Sequence, residues 1–137
     1  MMALSRSVES NNNIVFDCKY HVVFCPKYRK KVLIEPVDVR LKELFLEKAQ
    51  ELRAEVVEME IMPDHVHLLI TCDPQFGIHR IVKHLKGYTS RVLRMEFRHL
   101  KSRLPSLWTN SYFVATGGTV QLDVIKQYIE SRKERSD

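Results

Sequence analysis

His65 and His67 stand two positions apart in MPDHVHLLI, and Tyr128 stands in VIKQYIESRK. Paired imidazoles with a carboxylate can seat a divalent cation, and a phenol can act as a nucleophile. On a helix, residues two apart diverge by ~200°, whereas on a strand they project from one face. The segment EVVEMEIM precedes the motif, separated from it by Pro63 and Asp64, a pair suited to the centre of a tight turn. Pairing Met62 with His65 sets Ile61 opposite Val66, Met59 opposite Leu68 and Val57 opposite Ile70, an apolar face. The same register sets Glu60 opposite His67 and Glu58 opposite Leu69 on the second face. That face then offers His65, His67 and Glu60 as metal ligands. The plainer alternative is a solvated sheet face, since a bare His-x-His is a short motif and Glu58 and Glu60 suit an exposed strand equally well.

Around Tyr128, the positions Leu122, Ile125 and Ile129 supply a packing face, and the phenol sits at its border beside Gln121 and Arg132. Taken alone, such a tyrosine is ordinary packing. Upstream, Arg80, Lys83, His84, Arg91, Arg94 and Arg98 fall on one side of a helical segment, with Ile81, Leu85, Tyr88 and Val92 on the other. Almost no acidic residue interrupts that cationic stripe, which favours contact with phosphates over a merely solvated face. Lys27, Arg29 and Lys30 in the loop KYRKK and the cluster from Arg98 to Arg103 add to it. The chain carries 22 Lys and Arg against 17 Asp and Glu, a net charge of +5 that suits a polyanionic partner.

The elements that position these groups follow from periodicity. IVFDCKYHVVFC alternates Ile14, Phe16, Cys18, Tyr20, Val22 and Phe24 against a more polar set, the pattern of a half-buried strand, and Pro26 stops it. Val37 to Ala54 is amphipathic helix, with Leu41, Leu44, Phe45 and Leu52 inward. The hairpin comes next, then a helix from Phe76 to about His99 that Gly87 bends or splits. SYFVAT, residues 111–116, is a fourth strand. A last helix follows Gly117 and Gly118, capped by Thr119, with Asp123 in its opening turns. This order is α+β, the ferredoxin-like split βαβ arrangement with a four-stranded antiparallel sheet and an additional C-terminal helix.

At 137 residues one domain is expected, spanning 14–137 behind a flexible N-terminus of residues 1–13, with the last helix over about 119–135. Cys18, Cys25 and Cys72 are an odd number at no metal-ligand spacing and read as reduced, buried thiols. There is no apolar signal core or membrane-length run, so a cytoplasmic protein with no membrane association is expected.

Taken together, these pieces resemble the single-tyrosine HUH transposases of the insertion sequence 200/605 group. YHVVFCPKYRKKVL is similar to the family's opening strand and basic loop, MPDHVHLLI to its histidine motif, and IVKHLKGYTSRVLRMEF to its central helix. SYFVATGG is similar to the strand before the hinge, and the helix with Tyr128 to the nucleophile helix. The resemblance implies a DNA transposase in which His65 and His67 hold Mg²⁺ or Mn²⁺ and Tyr128 attacks a DNA phosphate. It also implies a 5′-phosphotyrosine and a free 3′-hydroxyl, rejoined by the reverse reaction with no nucleotide cofactor. The implied partners are single-stranded DNA with hairpin ends and a second subunit, a homodimer in which the tyrosine can act across subunits with Gly117 and Gly118 as hinge. Many relatives carry a glutamine four residues after the tyrosine as a further metal ligand, where this sequence has Arg132. A guanidinium has only donors and cannot coordinate a cation. Glu60, Glu58, Gln127 or a water completes the site, or metal affinity is reduced; the register favours Glu60, and Arg132 could instead contact the scissile phosphate.

Two rivals compete with this expectation. A non-catalytic or domesticated ferredoxin-like nucleic-acid-binding protein would explain the basic stripe but gives no role to the paired histidines. In the RNA-recognition version of that fold, aromatics on the sheet would be needed, and KGYTSRVL shares only three positions of the usual pattern. Hydrolysis of a small molecule leaves the cationic helix unexplained.

Overall fold

The computed structural model describes residues 9–11, 14–16, 18–116 and 122–133. Two short strands, β1 (Glu9–Asn11) and β2 (Ile14–Phe16), pair as a small antiparallel hairpin. β1 lies inside the stretch expected to be flexible, and the single strand expected from Ile14 is two separate ones, since β3 begins at Lys19 and runs to Phe24.

The main sheet is antiparallel with order β4-β5-β3-β6, where β4 is Glu55–Met62, β5 His65–Thr71 and β6 Phe113–Thr116. This is the expected ferredoxin-like order. Helices α1 (Val37–Glu51) and α2 (Ile78–Glu96) cover one face. Val22 and Phe24 of β3, Val66, Leu68 and Ile70 of β5, Leu41, Leu44 and Phe45 of α1 and Ile81, Leu85 and Leu93 of α2 form its core. Trp108 packs edge-on to Phe24 and donates its indole N–H to Thr89 Oγ1 at 3.0 Å, tying the loop before β6 to α2.

The helix expected from Phe76 to His99 starts at Ile78, after Gly77, whose φ of +96° favours a residue without Cβ. It passes Gly87 unbroken. The break comes at Phe97, which is extended (φ −122°, ψ 97°) and is followed by the short α3 (Arg98–Arg103). The fourth strand begins at Phe113, so Ser111 and Tyr112 lie just ahead of it.

The opposite face of the sheet carries the C-terminal helix α4 (Leu122–Lys133). Its Ile125 and Ile129 pack on Val23 and Cys25 of the β3 segment, with Phe113 and Tyr128 alongside. Thus the odd-numbered positions His21, Val23 and Cys25 are buried, as are Val22 and Phe24 on the other face. The expected Thr119 cap and the Gly117–Gly118 hinge lie outside the described residues.

Candidate active site on the sheet face under the last helix

The hairpin between β4 and β5 has the register set by the Pro63–Asp64 turn: Met62 opposite His65, Ile61 opposite Val66, Glu60 opposite His67, Met59 opposite Leu68 and Glu58 opposite Leu69. The expected pairing of Val57 with Ile70 does not occur. A β-bulge between Val56 and Glu58 makes Val56 the partner of Ile70 and leaves Val57 exposed. The extra residue restores alternation on either side of the bulge, so Glu58 and Glu60 keep their place beside the histidines.

His65 and His67 therefore share one face, with Val66 pointing into the core at 0% exposure. Each imidazole is tied through one ring nitrogen. His65 Nδ1 lies 2.9 Å from Asp64 Oδ1. His67 Nε2 lies 3.1 Å from Nδ1 of His21, a β3 residue diagonal to it across the ladder and only 9% exposed. Nε2 of His65 and Nδ1 of His67 are the ring nitrogens outside these two contacts. Burial, and then the neighbouring His21, hold the His67 pKa below its ordinary value, while Glu60 and Glu58 oppose that shift. A neutral imidazole is the ligand form.

Glu60 lies opposite His67, and an open groove is lined by Glu58, Met59, Glu60, His67 and Leu69. Among the described residues, no three His, Cys, Asp or Glu side chains converge closely enough to hold a metal ion unaided. The donor set fits a cation that keeps water and phosphate oxygens in its remaining positions, as Mg²⁺ and Mn²⁺ do, better than a closed structural site.

Tyr128 is on the same side of the sheet. Glu60, His67, Val23 and Phe113 form one rank across the four strands. Tyr128 sits over the end of that rank, its ring 5.9 Å from that of Phe113. With strands about 4.8 Å apart, the Phe113 end lies roughly 10 Å from His67. The phenol oxygen is 3.1 Å from Ser111 Oγ. Burial raises its pKa; Ser111, Arg132 and Thr109 pull the other way, while the Cys25 sulfur adds to the rise. Arg132, 7% exposed, stacks its guanidinium 5.2 Å from the Tyr128 ring centre and donates from Nη1 to Ser111 Oγ at 2.7 Å.

The basic residues divide into two groups. Arg80, Lys83, Arg91 and Arg98 are exposed, as is Lys30. An open groove joins Lys48, Arg80, Lys83, His84, Tyr88 and Arg91 on the outer side of α2. Because α2 packs on the sheet face opposite the histidines, this stripe and the histidines lie on opposite sides of the sheet. A second groove is lined by His79, Arg80, Lys83, Lys86, Asn110 and Tyr112, joining the stripe to the segment just ahead of β6 that flanks Ser111. Arg29 differs from the stripe: its side chain is 12% exposed and bridges Asp64 at 3.3 Å and Glu130 at 3.2 Å. Left-handed backbone at Tyr28 and Arg29 (φ 59° and 50°) turns the loop. Arg94 donates to the Leu104 carbonyl at 3.0 Å. Lys27 is half-buried, its ammonium 5.7 Å from the Tyr28 ring centre.

Sequence periodicity did not single out His21, Asp64 or Ser111. His21 is one of the outward positions of the alternating strand, but its place beside His67 depends on β3 pairing with β5, 46 residues away. In the sequence Asp64 is a turn residue and Ser111 the start of a strand, and neither pattern signals a partner for His65 or Tyr128.

Comparison with known proteins gives concordant matches. Residues 14–132 match the family model described as "Transposase IS200 like". The chain is 36% identical over 134 residues to the ISDra2 transposase TnpA of Deinococcus radiodurans, covering 96% of each. It is 29% identical to the transposase for insertion sequence element IS200 of Salmonella typhimurium, covering 86% of this chain and 81% of that one. A crystal structure of a Deinococcus radiodurans protein assigned as a transposase superposes with TM-score 0.85 at 36% identity, covering 90% of this chain and 97% of that chain. A REP-associated tyrosine transposase, solved bound to a REP hairpin, shares the fold at TM-score 0.50 and 11% identity, over 89% of this chain and 68% of that chain.

Proposed function

Since the chain belongs to the IS200-like transposase family, we propose that it cleaves and rejoins single-stranded DNA at hairpin-bearing element ends, with Tyr128 as nucleophile and a divalent cation at His65 and His67. The observation that carries this reading is the placement of both imidazoles and the phenol on one face of one sheet, the imidazoles each held by a buried or half-buried partner. The same-fold neighbour bound to a REP hairpin supports a hairpin as the recognised element.

His65 Nε2 and His67 Nδ1 would hold Mg²⁺ or Mn²⁺, with Glu60 approaching directly or through a water. The ion supplies charge neutralisation and alignment of the phosphate oxygens. The Tyr128 oxygen attacks the phosphorus, the bond to the 3′ oxygen breaks, and a 5′-phosphotyrosine forms. The phenol proton passes to solvent, and the departing 3′ oxygen takes one up. In rejoining, a 3′-hydroxyl attacks the phosphotyrosine and the phenolate leaves, so the covalent bond conserves the energy of the phosphodiester and no nucleotide is consumed. The exposed stripe on α2 binds phosphates, and the groove that includes Asn110 and Tyr112 continues that basic surface to the residues flanking Ser111, the neighbour of the Tyr128 oxygen. The assembly is a homodimer in which the phenol serves either its own histidines, across the roughly 10 Å offset, or those of the other subunit.

The test is incubation with single-stranded DNA spanning the flanks of the element and Mn²⁺, followed by denaturing electrophoresis. A protein-DNA adduct is expected, lost in Tyr128→Phe while hairpin binding is retained. Unchanged adduct in that variant would remove Tyr128 from the mechanism.

A further inference from the structure

We propose that Ser111 and Arg132 form a donor relay to the Tyr128 oxygen, which stabilises the phenolate as it forms in the attack and as it departs in rejoining. This rests on the reading of Tyr128 as nucleophile and adds the group that makes its oxygen reactive.

Donor arithmetic fixes the direction of the relay once the phenol is deprotonated. A guanidinium has no acceptor, so the 2.7 Å contact from Arg132 Nη1 occupies a lone pair of Ser111 Oγ. The Ser111 proton is not engaged by that contact and is available to the Tyr128 oxygen at 3.1 Å. In the neutral pair either hydroxyl can donate. Once the phenol has lost its proton only Ser111 can, and the cationic Arg132 behind it strengthens that bond. The guanidinium also lies over the ring, 5.2 Å from its centre, where it favours an electron-rich phenolate. Arg132 is 7% exposed, so water screens little of this.

The relay is held in place in advance. Lys86 Nζ donates to the carbonyls of Thr109, Asn110 and Ser111 at 2.6, 3.4 and 3.3 Å, which fixes the loop bearing the Ser111 hydroxyl. Thr109 Oγ1 donates to the Ser111 carbonyl at 3.2 Å. Donors aimed beforehand at developing charge need no reorganisation during reaction. Cleavage needs a better nucleophile and rejoining a better leaving group, and a stabilised phenolate serves both directions.

The experiment replaces tyrosine with 3-fluorotyrosine throughout the full chain, which lowers the phenol titration into an accessible range. The fluorine signal of Tyr128 is followed by NMR against pH and assigned by its loss in Tyr128→Phe. Ser111→Ala should raise the Tyr128 midpoint by about one pH unit, with a ~10-fold slower adduct formation whose pH profile moves up alike. Ser111→Thr, which keeps the hydroxyl, should restore both. Arg132→Met, which keeps the length of the side chain and removes both donor and charge, should shift the midpoint in the same direction and carries the test alone if Ser111→Ala does not fold. Midpoints unchanged in folded Ser111→Ala and Arg132→Met would overturn the relay. Adduct persisting in Tyr128→Phe would instead sink the nucleophile reading, an outcome the titration does not mimic.

Discussion

Nδ1 of His21 lies 3.1 Å from Nε2 of His67, and this contact does for His67 what Asp64 does for His65 at 2.9 Å. Metal-binding histidines ordinarily have their second nitrogen held, which sets tautomer and ring orientation. His21→Ala is therefore expected to weaken Mn²⁺ binding at least ~10-fold by calorimetry. His21→Gln, which retains a hydrogen-bonding carbonyl and amide, should recover part of that. Equal affinity in His21→Ala and the parent would show that the His67 ring needs no such support.

Glu60 and Glu58 offer a finer discrimination. Glu60 is the direct strand partner of His67, whereas Glu58 pairs with Leu69. If Glu60 approaches the ion, Glu60→Gln should weaken Mn²⁺ binding several-fold more than Glu58→Gln, since the amide keeps the shape and removes the charge. Equal effects would reduce both to a general negative field around the imidazoles.

The hairpin was legible in sequence because two local facts, a two-residue turn and a period of two, fix every pairing near it. The same logic fails at Val57, where EVVEMEIM offers two adjacent valines and only packing decides which is expelled at the bulge. His21 illustrates a different limit. Its partner is set by strand order, which local periodicity does not contain. Arg29 shows a third, because charge in a loop reads as solvent-facing until the left-handed turn at Tyr28 and Arg29 is known. For the helix, propensity marks Gly87 as the weak point. The propensity cost there is offset by Leu85, Thr89 and Leu93 buried on either side, and the chain breaks instead at Phe97.

The thiols make a prediction about alkaline pH. Burial pushes Cys25 up to about 12 and Cys72 up to about 11. With folded values above the unfolded one near 9.0, the unfolded chain loses these protons first, so their contribution is intact below pH 9 and is lost as pH rises through the folded values. Urea melts should show stability falling above pH 9, less steeply in Cys25→Ala than in the parent. At pH 8 a thiol reagent should modify the half-buried Cys18 before the other two, and rapid loss of all three together would show the core to be open.

Arg29 and Lys83 should separate stability from DNA affinity, although both are cations in a basic protein. Arg29 joins Asp64, the partner of His65, to Glu130 and to the Ile129 carbonyl of α4. It thus connects the histidine hairpin to the helix bearing Tyr128. Arg29→Ala leaves Asp64, whose side chain is 18% exposed, without its counterion, at a cost of about 2 kcal/mol, and the loss should appear in the melting temperature. Lys83 is exposed on α2 and lines the grooves on both sides of the stripe. Lys83→Ala should leave melting within ~0.5 kcal/mol and lower the salt dependence of single-strand binding by about one counterion. A variant of Lys83 that melts early with an unaltered salt slope would reverse the assignment, making the stripe structural and returning Arg29 to the DNA.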